Sequence, residues 1–356
     1  MTLTDEDAIL EQLARIESEG TYEHYKPLAE AANEFINWAA NPQDRVYTGI
    51  RSLDAAMRGT APGELTLIQG FTHSGKTLVA TELILNNPET DIMLVTPDET
   101  RPLVLTKLAS ALHGVDIREV ERRIQQDDAS ARAILLETAE RFGRLAVFDD
   151  SVTTLTMSRM LEEVTAATGR RPKATIFDYA ALLEGHEDVK AKLTALKAWG
   201  KRESQSLFVI HQASRTSGSA GKKMGIDSGE YGGEQQATHV IGVRRKKYAH
   251  YAQIADLEAK INTSTNSNSI EQMQARIDEL RRIDIPRDEN TITISLVKNK
   301  RPPCELIDDE DYLIDQDTGK LRRQEQHEGF DGGVVRTTKA ALRSVTPKPW
   351  EERGMF

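Results

Sequence analysis

Gly70-Phe71-Thr72-His73-Ser74-Gly75-Lys76-Thr77 fits the pattern G-x-x-x-x-G-K-[ST] at every fixed position. Before it stands Glu64-Leu65-Thr66-Leu67-Ile68, a short apolar run with β-branched members that reads as a strand. After it, residues 78 to 85 (Leu-Val-Ala-Thr-Glu-Leu-Ile-Leu) read as a helix. That order gives the motif its physical meaning, because backbone N–H groups and a helix N-terminus converge on anionic phosphate oxygens. Gly70 and Gly75 permit the tight path, and Phe71, Thr72, His73 and Ser74 line it with amides. Lys76 is expected to reach the outer phosphates and the Thr77 hydroxyl to ligate Mg²⁺. The stretch implies a bound nucleoside triphosphate.

The flanking sequence repeats the alternation. Strands are expected at Ile92-Met93-Leu94-Val95-Thr96, Leu145-Ala146-Val147-Phe148, Ala174-Thr175-Ile176-Phe177-Asp178 and Leu207-Phe208-Val209-Ile210. Between them helical periodicity runs over 103–112, 131–142, 157–168 and 190–203. Strands alternating with helices imply an α/β fold with a mainly parallel sheet covered on both faces. Residues 213 to 237 turn to Ser, Gly, Lys and Gln without periodicity, a long loop inside a folded domain. Residues 238 to 243 resume strand character. An antiparallel helical hairpin is expected over 248–283, ended by Ile285-Pro286, and a strand over 291–297. Gln316-Asp317-Thr318-Gly319 reads as the turn of a final hairpin.

Three segments follow: a helical N-terminal arm over 1–44, a core over 45–323 and a flexible tail over 324–356, poor in apolar residues. The arm is either a cap on the core or a contact with a neighbouring subunit. At 356 residues the chain has room for one large α/β domain plus appendages. The absence of a spanning apolar run and an acidic, unpatterned N-terminus point to a cytoplasmic protein with no membrane partner. A single cysteine, Cys304, rules out an internal disulfide and a cysteine-based zinc site. Net charge of −10 excludes a protein that coats DNA through its overall field, while leaving room for a local basic loop.

The other chemistry-bearing residues follow strand ends, where parallel sheets place their sites. Asp178 closes a strand well after the P-loop, as a carboxylate holding Mg²⁺ does. Asp98 and Glu99 follow the strand after the P-loop helix, and either would orient the attacking water. Gln212 ends another strand, where it would sense the γ-phosphate and relay its state to the following loop. Arg215, Lys222 and Lys223 lie in that loop and suit sequence-independent contact with a phosphodiester backbone. Tyr231 is the loop's lone aromatic residue, so base stacking is not indicated. Lys298, Lys300 and Arg301 cluster at a strand end, where they would complete a neighbour's site.

Taken in order, these motifs resemble the RecA-fold motor domain of DnaB-type replicative helicases, in a phage-like version. Thr48-Gly49-Ile50-Arg51-Ser52-Leu53-Asp54 followed by Pro62-Gly63-Glu64-Leu65 is similar to the family's opening motif. Thr96-Pro97-Asp98-Glu99-Thr100 stands where the family has S-L-E-M, a register that favours Asp98 on the water. Val147-Phe148-Asp149-Asp150 resembles its Y-I-D-D strand, and Ile176-Phe177-Asp178-Tyr179 its Walker B. His211-Gln212-Ala213-Ser214-Arg215 resembles S-Q-L-N-R, and residues 232–237 the end of its DNA-contacting loop. Lys298-Asn299-Lys300-Arg301-Pro302 resembles the K-x-R-N-G-P trans finger, with lysine where the family has arginine.

The resemblance covers about residues 45 to 323 and implies a RecA-like P-loop core. It implies ATP and Mg²⁺ as cofactors, with Lys298 as an ATP contact and Lys300 or Arg301 as the trans finger. It also implies a ring, usually of six subunits, with single-stranded DNA in the pore, 5′→3′ translocation in replication, and a primase or loader as partner. The family's N-terminal helical domain has no counterpart in this sequence, and the hairpin at 248–283 is an addition. Two alternatives share the core: a RecA-like recombination or strand-annealing ATPase forming open filaments, and a KaiC-like regulatory ATPase without DNA.

Overall fold

The computed structural model describes residues 28–42, 45–212 and 234–323. The first expected helical run, the loop with Arg215, Lys222, Lys223 and Tyr231, and the tail lie outside the described residues.

One nine-stranded sheet organises the chain, in the order β3-β2-β4-β5-β1-β6-β7-β8-β9. The strands are β1 (Leu65–Gly70), β2 (Ile92–Val95), β3 (Leu145–Phe148), β4 (Ala174–Phe177) and β5 (Ser206–Gln212). They continue with β6 (His239–Arg245), β7 (Thr291–Asn299), β8 (Ile307–Ile314) and β9 (Leu321–Arg323). Every pairing from β3 across to β6 is parallel, and β6 to β9 are antiparallel. The expected mainly parallel α/β architecture is what the chain adopts.

Side chains alternate between two cores, as a pleat buried on both faces requires. Ile68, Ile176, Phe208 and Ile210 join one cluster, while Leu65, Leu67, Phe177, Leu207 and Val209 join the other. Besides α1 (Leu28–Ala40) and α2 (Arg51–Met57), the first face is covered by α3 (Lys76–Asn86), which buries Val79, Ala80, Leu83 and Ile84. On that side also lie α4 (Arg101–His113), α5 (Ile117–Gln125) and α6 (Ala129–Arg141). The second face is covered by α7 (Thr154–Thr168) and by α8 (Val189–Arg202), which buries Leu193, Leu196 and Trp199. Helix α5 escapes a periodicity search because it is highly charged and buries only Val120; the Asp116 carboxylate caps it through the Arg118 amide.

The Thr48-Gly49 and Asp54 of the opening motif serve structure. Asp54 accepts from the Thr48 amide and hydroxyl, both at 2.7 Å, and from the Gly49 amide at 3.0 Å. This closes the turn that leads into α2 and then β1.

The hairpin is present with wider limits than expected: α9 (Lys246–Thr263) and α10 (Ser267–Glu279). Ile285-Pro286 does not end it at once. The chain winds on through a wide turn at Leu280–Asp284 into the short α11 (Ile285–Arg287). Pro286 falls in that helix's first turn, where no N–H is needed. Ile254, Ile277, Leu280 and Ile285 form a small core of their own. At the hairpin's root Arg244 pairs with Asp309 at 2.6 Å and His250 with Asp288 at 2.8 Å, and Lys246 pairs with Asp311.

Helix α1 buries none of its residues. Its Trp38 ring lies under two guanidinium groups, Arg45 at 3.7 Å and Arg301 at 4.4 Å. Those contacts hold the arm to the core.

Candidate nucleotide site and a basic strand end

Strand β1 delivers Gly70 to the loop, and β6 explains why that residue is glycine. A Cβ there would overlap the Val243 carbonyl oxygen and the Ser74 hydroxyl. The loop closes at Gly75, whose φ of 101° suits glycine, and α3 begins at Lys76. The Lys76 ammonium donates to the Phe71 carbonyl at 2.8 Å. Burial draws its pKa down to about 8, against the opposing charge of Asp178.

Asp178 is placed by sheet continuity, since its amide donates to the Val95 carbonyl at 2.9 Å just beyond β4. The Thr77 hydroxyl donates to its carboxylate at 3.3 Å. Burial, then the charge of Glu99, pushes the Asp178 carboxyl up to about 6, and Thr77, Lys76 and Lys107 pull the other way. A buried carboxylate that ionises reluctantly is one that a cation would stabilise. Thr77 and Asp178 offer the two hard oxygens that suit Mg²⁺, an ion that usually takes few protein ligands beside phosphates. Among the described residues no cluster of three or more His, Cys, Asp or Glu competes as a metal site.

The two carboxylates that sequence could not separate have different surroundings. Glu99 lines a small cleft with Thr77, Thr96, Lys107 and Asp178, and its carboxylate is ion-paired with Lys107. Asp98, the residue before it, is exposed in the loop. Lys107 itself carried no signal in the sequence, being one more basic residue on a helix. Gln212, at the end of β5, donates its side-chain amide to the Thr72 hydroxyl at 2.7 Å, linking that strand to the P-loop.

The basic residues at 298–301 lie at the other end of the sheet. Asn299 of β7 pairs with His239 of β6, which in turn pairs with Thr66 near the start of β1. The four residue steps of β1 from Thr66 to Gly70 therefore separate them from the P-loop, about 13 Å at ~3.3 Å per residue. Lys298 donates to the Glu234 carbonyl at 2.6 Å, and Lys300 is exposed, 3.4 Å from the Gln235 carbonyl. Arg301, expected beside Lys300 as a trans finger, is engaged by its own chain. It pairs with Glu64, donates to the Met57 and Gly59 carbonyls and stacks on Trp38, with its side chain only 9% exposed. Five-donor guanidinium geometry satisfies all of these at once, which leaves Arg301 little capacity for a neighbour.

The model of the DnaB-like helicase C-terminal domain family matches residues 45–295. No curated protein sequence matches the chain. Among solved structures, a DnaB-like replicative helicase described with its interactions with primase is similar with TM-score 0.61 and 13% identity, over 90% of this chain and 72% of that one. A solved ATPase domain is similar with TM-score 0.61 and 12% identity, over 85% of this chain and 100% of that one. A KaiC-like protein from the hyperthermophilic archaeon Pyrococcus horikoshii aligns with TM-score 0.48 and 16% identity, over 78% of this chain and 98% of that one. At these identities the structural likeness is one of fold. Among the described residues no helix is long and apolar enough to cross a membrane.

Proposed function

We propose that this chain, which belongs to the family of DnaB-like helicase C-terminal domains, is the ATP-driven motor of a ring that unwinds DNA. In this reading six copies close around single-stranded DNA and move 5′→3′ along it during replication, in the cytoplasm (the host's, for a phage protein). A primase or loader is the kind of protein partner it would take.

The observation that carries the reading is the separation of two half-sites. A P-loop with Thr77 and Asp178 stands at one end of the sheet and basic residues stand at the other. A head-to-tail assembly brings one copy's half against its neighbour's, and rotation closes it into a ring.

Mg²⁺–ATP, when bound, supplies the phosphoryl group and the metal charge. The loop from Gly70 to Gly75 cradles the phosphates with its amides, Lys76 compensates their charge, and Thr77 and Asp178 hold the cation. Asp98 orients the attacking water. We prefer it to Glu99 because the Glu99 carboxylate is already engaged in an ion pair with Lys107. Gln212 carries the state of the site into the loop with Arg215, Lys222 and Lys223, whose positive charge grips the DNA backbone. A ring repeats that loop around its pore, which reconciles DNA binding with a net charge of −10. Lys300, with Lys298 beside it, faces the neighbour's ATP.

The test is ATPase rate with and without single-stranded DNA, beside unwinding of forked duplexes of each polarity. DNA-stimulated hydrolysis, unwinding of the 5′-tailed fork and closed rings are expected, the hydrolysis and the unwinding lost in Lys76→Ala. Wild-type turnover in that variant refutes the site. Filaments with strand exchange and no unwinding would make the chain a recombination ATPase, and hydrolysis indifferent to nucleic acid would make it a regulatory one.

A further inference from the structure

Helix α8 brings two more lysines to the basic strand end. Its last turn reaches that end of the sheet: the Lys201 Cα lies 3.6 Å from where a Cβ on Gly63 would stand, just before β1. Beside the start of β1 the Thr238 amide donates to the Leu65 carbonyl at 2.8 Å and the Lys300 amide to the Thr238 carbonyl at 3.0 Å. Lys197 follows Leu196 directly, and Lys201 is one helical turn further on the same side. Lys298 and Lys300 both converge on the Gln235 carbonyl, at 3.3 and 3.4 Å.

Lys197 stands within electrostatic reach of Lys201, Lys298 and Lys300. Burial, then the charges of Lys300 and Lys201, lowers the pKa of Lys197. Burial, then Lys300 and Lys197, lowers that of Lys298, with Glu234 opposing. The hydrogen bonds of Lys298 and Lys300 go to neutral carbonyl oxygens. In a chain of net charge −10, a gathering of four lysines that repel one another is the signature of an anion site.

We propose that Lys197 and Lys201 complete, with Lys298 and Lys300, a four-lysine site for the triphosphate held at the P-loop of a second copy of this chain. The inference rests on the head-to-tail assembly proposed above and adds α8 to the surface that meets the neighbour's nucleotide. The chain's own nucleotide is out of reach, because β1 lies between the patch and its own P-loop. Two of the lysines rise from a packed helix and two from a strand end, where Lys298 and Lys300 are hydrogen-bonded, so their backbones are set before the phosphates arrive. Preorganised positive charge of this kind stabilises the charge that develops on a transferring phosphoryl group.

The test is a complementation. ATP hydrolysis is measured for the full chain, for the double variant Lys197→Ala with Lys201→Ala, and for the pair changed to arginine. The alanine pair is expected to lower kcat about tenfold or more, a modest share of what a trans finger supplies. KM for ATP stays within about twofold, because each chain's own P-loop is untouched. The arginine pair retains most of the rate. Mixing the alanine pair, slowed alone, with Lys76→Ala chains, inactive alone, should raise hydrolysis above that of the alanine pair by itself, since each supplies the half-site that the other lacks. Wild-type kcat in the alanine pair, no recovery in co-assembled mixtures, or a loss confined to single-stranded DNA affinity would overturn the proposal; the last would assign the lysines to the DNA path. A wild-type chain that fails to hydrolyse ATP, or does so as a monomer, overturns the assembled motor itself and the patch with it.

Discussion

Replacing Asp178 by asparagine should damage function and strengthen the fold at the same time. Burial and Glu99 raise its carboxyl from an ordinary 3.8 to about 6. That displacement is worth about 3 kcal/mol of penalty once the group is ionised. A raised carboxyl contributes stability that is fully present below pH 3.8 and lost as pH rises through about 6. Asparagine keeps the shape and loses the titration. Part of the gain is returned, because Lys76, already drawn down to about 8, loses the attraction of Asp178. The net expectation at pH 7.5 is about 1–2 kcal/mol in favour of Asp178→Asn, a rise of a few degrees in Tm. Thermal unfolding by circular dichroism, run without nucleotide between pH 4.5 and 7.5, reads this directly. The gap between the two proteins should be narrowest at pH 4.5, widen toward about pH 6 and stay open above it. Mg²⁺–ATP should then raise the Tm of the wild type, through binding to the native state alone, and leave the variant nearly unmoved. A variant less stable than wild type at pH 7.5, or one with the same pH slope, would refute the buried, penalised carboxylate.

Three further outcomes are expected. Asp98→Asn should lower kcat about a hundredfold with ATP still bound, and Glu99→Gln should do less; the reverse order in single-turnover hydrolysis would hand the water to Glu99. Arg301→Ala should destabilise the chain by about 3–5 kcal/mol in denaturant titration, since it strands Glu64 without its partner. Full stability with lost ATPase in that variant would restore Arg301 as the trans finger. Lys222→Ala with Lys223→Ala should weaken single-stranded DNA binding and flatten its salt dependence; an unchanged salt slope in fluorescence anisotropy would remove that loop from the DNA path.

The core was legible where physics is local. Short apolar runs marked the central strands, as burial on both faces requires, and the Gly70 to Thr77 stretch fixed strand, loop and helix together, because each part is stereochemically demanded by the next. Asp178 could be anticipated for a similar reason, since it ends an apolar strand. What could not be read depended on which surfaces meet. Arg301 and Lys300 are adjacent in sequence, yet one is turned under Trp38 and the other is exposed. No spacing rule distinguishes them. Lys197 and Lys201 carried no signal in the sequence, because only the fold brings the end of α8 beside Gly63 and the start of β1, next to a strand end about 100 residues away. Charge-rich α5 hid because its one buried residue, Val120, leaves no stripe to detect.

The central position of β1 has a consequence for how the protein is made. All six of its residues are buried, and its partners are β5 and β6, which begin at Ser206 and His239. The strand that carries the P-loop is thus synthesised early and paired late. At about 5–20 residues per second, many seconds pass on the ribosome before residue 245 emerges to complete its ladder. Through that interval Leu65, Leu67 and Ile68 are an unpaired apolar edge, the kind of segment chaperones shield and neighbouring nascent chains stick to. The Val243 carbonyl of β6 is packed so closely on Gly70 that a Cβ there would overlap it, so the P-loop's surroundings are complete only once β6 is in place. Competence to grip phosphate therefore arrives with the pairing of β1 to β5 and β6, after residue 245 has emerged.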